Sequence, residues 1–174
     1  MTSHRPWLGL IALLFAGLAF SAATASADPH HQPLRAVVRG DATITDTPAD
    51  GGLRLEFKDG HFRGAPVGSG VYAGSIQLHV AETFPNGEGG VCAPIDGQIT
   101  LGAGTPDRLD LAVTGDSCQD GAGDPTTTSF TGLARFTVSH GTGSYRGARG
   151  SGTAVFAEDV ADHDRMTLIG QITR

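Results

Sequence analysis

Four polar side chains have the type and spacing to meet around one apolar interior. Glu82 falls in phase with Ile76, Leu78, Val80 and Phe84 on an alternating run, and Tyr72 shares that phase. A carboxyl carried into apolar surroundings has its charged form disfavoured by desolvation, which is how general acids and ligand anchors arise. The competing placement sets Glu82 beyond the strand end, in solvent beside the turn Pro85-Asn86-Gly87. His140 continues the phase of Phe136 and Val138 and directly precedes a glycine turn that carries Tyr145. The two would then stand at one rim, where a histidine can donate to a ligand or move a proton near neutral pH. A single histidine without an identified partner also fits a strand end satisfied by backbone or water. Tyr72, Glu82, His140 and Tyr145 are therefore ligand-binding candidates, and no catalytic residue is assigned.

Other constellations are weaker. Glu158, Asp159, Asp162, His163 and Asp164 cluster late in the chain, and Asp116, Asp120 and Asp124 surround Cys118. Oxygen-rich loops can hold Ca²⁺, but neither cluster has the Asp-x-Asp-x-Asp-Gly frame with a distant Glu, and acidic turns are usually solvated. No metal site is expected. A new N-terminus Asp28-Pro29-His30 would place histidine third, as in copper-binding tripeptides, but that geometry needs the second amide nitrogen to lose a proton that proline lacks. Gly-x-Ser-x-Gly, His-Glu-x-x-His and a phosphate-cradling glycine loop before a helix are all missing, so the usual hydrolase and nucleotide signatures give no reading here and no cofactor is expected.

The two cysteines, Cys92 and Cys118, have no Cys-x-x-Cys spacing and no histidine within ten residues, which leaves little to build a metal site from. Their compartment follows from the N-terminus. Met1 to Ala27 has His4 and Arg5, an apolar run from Trp7 to Phe20, and the small-residue stretch ending Ala25-Ser26-Ala27, the pattern of a secretory signal peptide. The run is too short for a membrane span, and no later stretch replaces it. The expectation is a secreted, extracellular protein in which oxidising conditions pair Cys92 with Cys118. Cleavage would remove Trp7, the only tryptophan, and with it a sugar-stacking platform or a lipocalin-type tryptophan at a barrel base.

The whole chain has 12 basic and 18 acidic residues, and loss of Arg5 with the leader takes the net charge from −6 to −7. That balance argues against nucleic acid or an anionic membrane as a partner of the chain as a whole. Some 147 residues remain, enough for one domain with a real core. Residues 28–33 read as a polar, flexible leader and 34–174 as a single domain.

What must position the candidates is a set of strands. Twenty-six glycines and nine prolines punctuate runs in which apolar residues recur every second position, and helix patterns are nearly absent. Leu53, Leu55 and Phe57 alternate with Arg54, Glu56 and Lys58 and are followed by Asp59-Gly60, which predicts a hairpin turn. A long strand follows from Val71 through Phe84. With runs over Ala36 to Ile44, Ile95 to Leu101, Leu109 to Val113, Phe130 to Val138, Ala154 to Phe156 and Met166 to Ile172, the count is about eight. Antiparallel pairing follows, and the edges are hidden either in an eight-stranded barrel or in a two-sheet β-sandwich.

A repeated block favours the barrel. Phe62-Arg63-Gly64-Ala65-Pro66-Val67-Gly68-Ser69-Gly70 is echoed by Tyr145-Arg146-Gly147-Ala148-Arg149-Gly150-Ser151-Gly152, and each copy opens a strand with small residues that allow a sharp bend. Extended upstream to Gly141-Thr142-Gly143-Ser144, the second copy resembles the glycine turn of the allene oxide cyclase and dirigent-type barrels. The resemblance implies an eight-stranded barrel with an apolar interior, but no catalytic acid, arginine or water ligand of those families matches a position here. The expected protein is a non-enzymatic barrel that binds a small apolar ligand or serves as a structural extracellular module. A cyclase-like or isomerase-like enzyme using Tyr72, Glu82 and His140 is the alternative, and a protein-binding or inhibitor module with the Cys92–Cys118 segment as its rigid loop is a third.

Overall fold

Period-two alternation sends every second side chain to one face, and eight such strands can bury that face only against one another. In the computed structural model, which describes residues 31–47, 51–119, 129–158 and 163–174, they do so by closing into a ring. The leader expected over Met1 to Ala27 lies outside the described residues. The strands are β1 (His31–Thr47), β2 (Gly52–Ala65), β3 (Gly68–Leu78), the two-residue β4 (Phe84–Pro85), β5 (Val91–Leu101), β6 (Leu109–Gln119), β7 (Phe130–Gly141), β8 (Arg149–Glu158) and β9 (His163–Thr173). Each pairs antiparallel with the next long strand, β3 with β5 included, and β1 returns to β9 through pairs such as Ala36 with Leu168. The fold is therefore an eight-stranded up-and-down barrel, not a sandwich, with β4 added to β5 beside Cys92. Its first strand begins at His31, three residues before the expected domain start, because His31 to Pro33 pair with β9.

Up-and-down order fixes the two ends. The turns at 66–67, 102–108 and 142–148 share the upper end with the start of β1 and the finish of β9. The lower end holds the ends of β1, β3, β6 and β8.

Ring closure leaves a narrow interior, and large residues fill it by lying over glycines on nearby strands. The Tyr72 ring lies directly on Gly60 and the Phe156 ring on Gly132, so that a Cβ at either glycine would overlap the ring. Phe136 lies against Gly152 and Gly170, whose added Cβ atoms would stand 2.6 and 2.8 Å from it. Leu34, Ile99, Leu109, Leu111, Leu168 and Ile172 are fully excluded from water between these rings. Each such side chain contributes about 1.5–3 kcal/mol by leaving water.

Two local expectations need correction. Asp59-Gly60 does not turn a hairpin but sits inside β2 as a β-bulge, with Asp59 at φ +61 and one extra residue of β2 set against both β1 and β3. The bulge shifts the inward phase by one, so Phe57 and Phe62, an odd number of residues apart, both face the core. Cys92 and Cys118 are paired as expected and stand directly opposite each other on β5 and β6, with Cα atoms 3.9 Å apart. The segment they enclose is not a free loop: it is the β5–β6 hairpin, two staves of the barrel wall joined by the turn at 102–108.

Candidate ligand groove at the upper rim

Tyr72 occupies the interior. It is 1% exposed, its ring centroid is 5.8 Å from that of Phe57 with a 39° tilt, and its hydroxyl lies beside Gly40. Its neighbours make it a packing residue of the barrel core.

Glu82 is elsewhere. β3 stops at Leu78, and Val80–Glu82 form a single 3₁₀ turn in which the Glu82 amide donates to the His79 carbonyl at 3.0 Å and the Ala81 amide to Gly51 at 3.1 Å. The turn breaks the alternation that would have put Glu82 on the inner face. The carboxylate is exposed at the lower end, and Val80 and Phe84 are exposed with it, so the solvated reading holds and the shared inner face does not.

His140 is turned outward by a bulge of its own. Leu111 pairs with Val138 but Asp110 pairs with His140, leaving Ser139 as the extra residue. Beyond it the phase inverts: Gly141 takes the inward place and is buried, while His140 is exposed. The carboxylate nearest in the register, that of Asp110, accepts from Thr100 Oγ1 at 2.7 Å and pairs with Arg108 Nε at 3.3 Å. It is thus held toward the β5–β6 side, and His140 has no orienting partner among the described residues.

Tyr145 closes the upper end. It sits in the 3₁₀ turn Gly143–Tyr145, 8% exposed, within the same apolar cluster as the interior, with the Arg174 guanidinium 4.6 Å above its ring centroid in cation–π contact. The Gly-Thr-Gly sequence has a local explanation. Thr142 Oγ1 donates to the Pro106 carbonyl at 2.6 Å, the Thr142 amide to Arg108 at 2.9 Å and the Ser144 amide to Asp107 Oδ1 at 2.7 Å. Gly143, at φ +55, lies where any Cβ would overlap the Asp107 carboxylate. This glycine turn is a latch onto the β5–β6 turn.

Between the latch and the wall lies a groove. Pairing of β7 with β8 ends at Thr137 and Ser151, after which β7 stays with β6 and β8 stays with β9. The splayed strands border an open groove of about 490 Å³, whose lining includes Val138, His140, Gly141, Arg146, Ala148 and Arg149. Neither arginine has an ion pair among the described residues, so the groove could hold an anionic group. It offers no acid–base pair. The structure therefore brings His140 and Tyr145 to one rim, leaves Tyr72 inside the barrel and puts Glu82 at the opposite end. No family model, curated protein or solved structure matches this chain.

Arg146 and Arg149 escaped the sequence reading as site residues although both lie within the repeated block. Only the end of β7–β8 pairing brings them beside His140. Of the acidic clusters, Asp120, Asp124, Asp159 and Asp162 lie outside the described residues. Among the described residues, no three His, Cys, Asp or Glu side chains gather as a metal site.

Proposed function

We propose that this protein is a non-enzymatic, secreted module that acts through the outside of a rigid barrel. The observation that carries the reading is the occupation of the interior by Tyr72, lying directly on Gly60 of β2, and by Phe136, lying against Gly152 of β8 and Gly170 of β9. A small apolar ligand would have to displace them. The enzymatic alternative required Tyr72, Glu82 and His140 to converge, and their separate placements favour the non-enzymatic one. The leader pattern and the Cys92–Cys118 bridge support an extracellular setting. Kinship with the allene oxide cyclase and dirigent-type barrels, resting on Gly141 to Gly150 and the strand count, is proposed for the fold alone. Native mass spectrometry of protein secreted by its own host tests this reading. The expected mass is that of the processed polypeptide with one disulfide and no adduct; a stoichiometric lipid or terpenoid would overturn it.

A further inference from the structure

The outer face of β9, β1 and β2 concentrates positive charge in a chain that is acidic overall. Arg39 on β1 is directly opposite Arg165 on β9 and directly opposite His61 on β2, which sets three basic side chains in a row at strand spacing, about 4.8 Å per step. Arg35 lies further up β1 and Arg63 is opposite Val37, extending the row into a patch. All five are exposed, and none has a carboxylate partner among the described residues. Like charges directly opposite on one sheet face oppose folding. Exposed Asp41 follows Arg39 by two residues on β1, but one carboxylate leaves the row net positive, and an external anion fits as its counterpart.

We propose that this β9–β1–β2 face docks an acidic polysaccharide, a linear polymer carrying carboxylate or sulfate groups along its length. The inference rests on the reading that the barrel works through its outside. Guanidinium groups in a row can pair bidentately with successive carboxylate or sulfate groups. A bilayer fits less well. Of the exposed aliphatic side chains on this side of the ring, Leu133 and Val155 face each other on β7 and β8, outside the basic face, and only Ile169, opposite Arg35, lies within it, so the face offers little apolar surface to an acyl region. The acidic overall charge is no obstacle: on the other side of the ring Asp96 and Asp116 face outward on β5 and β6, and opposed charges on distant faces are largely screened from each other at physiological salt.

The test uses the oxidised, processed protein and fluorescein-labelled polygalacturonate and dextran sulfate, with neutral dextran as the blank, read by anisotropy across a salt series. Binding is expected to both acidic polymers and to weaken steadily with salt. Arg39→Gln with Arg165→Gln is expected to weaken it at least tenfold while the thermal midpoint holds or rises, since the like-charge pair is gone. Arg108→Gln with Arg135→Gln removes the same charge from exposed positions beside β6 and on β7, away from this face, and binding is expected to stay within twofold. Equal loss in both double variants would overturn the docking face, because net charge alone would then explain binding. So would binding to vesicles containing anionic phosphatidylglycerol without binding to either polymer. Failure of the wild type to bind polymer also overturns it and leaves the outside-acting reading intact; that reading would fall to a molecule found inside the barrel.

Discussion

At the residue scale, the interior depends on pairs in which one partner is nothing but backbone. Gly60 has room for no side chain because the Tyr72 ring occupies its Cβ position, and the same relation joins Gly132 to Phe156. Gly60→Ala is expected to destabilise the barrel by about 1–3 kcal/mol, the range for overpacking a filled core. Tyr72→Ala is expected to cost about 3–5 kcal/mol through the cavity it leaves. Combining them should reveal the pairing: in the Tyr72→Ala background the added methyl has space, so the cost of Gly60→Ala should shrink by more than half in urea unfolding. Additive losses would mean that the two positions do not touch. The exposed candidates behave differently. Glu82→Gln and His140→Ala remove no buried contact, and each is expected to move stability by no more than about 0.5 kcal/mol.

At the element scale, strand number and antiparallel pairing were legible while the exact phase was not. Alternation over Leu109 to Val113 or Met166 to Ile172 needs only local sequence, and those strands stand where the pattern put them. The errors fall at bulges and at a strand end. Asp59-Gly60 has the composition of a hairpin turn, and only the register on both sides shows it absorbed within β2. Ser139 carries no local mark at all, yet it decides that His140 faces out. Glu82 stayed open between the inner face and solvent because alternation of side chains continued past Leu78 after the backbone had left the sheet. The disulfide was legible because only two cysteines exist, but nothing local revealed that they face each other across one ladder. Asp59 holds a positive φ that glycine adopts without strain, so Asp59→Gly is expected to be neutral to stabilising, by up to about 1 kcal/mol, whereas Asp59→Val should destabilise by about as much or more. Thermal unfolding of the two variants decides whether the bulge depends on that conformation; equal midpoints would argue that it does not.

At the scale of the whole molecule, the barrel is a ring in which every long strand is bonded to the next long strand except at one seam, where β1 meets β9. His31 and Thr173 are paired there, so the ends of the described barrel are adjacent. A circular permutant that joins 173 to 31 by a short glycine linker and opens the turn at 102–108 would exchange one seam for another. β1–β9 pairing becomes local, and β5–β6 pairing becomes the distant closure. The permutant is expected to keep the fold, because no pair is lost. Its refolding rate should change only several-fold, since one non-local closure remains in either chain. The bridge changes its role. In the natural order Cys92 and Cys118 are 26 residues apart and already belong to a hairpin. In the permutant the same bridge spans about 120 residues and ties the new seam, so its contribution is expected to rise from about 3.5 to about 5 kcal/mol on the chain-entropy account. Urea unfolding of both chains, oxidised and reduced, measures the difference. If reduction costs the permutant no more than the natural order, then the bridge does not stabilise the barrel by restricting the unfolded chain, and its contribution lies instead in the local packing of β5 against β6.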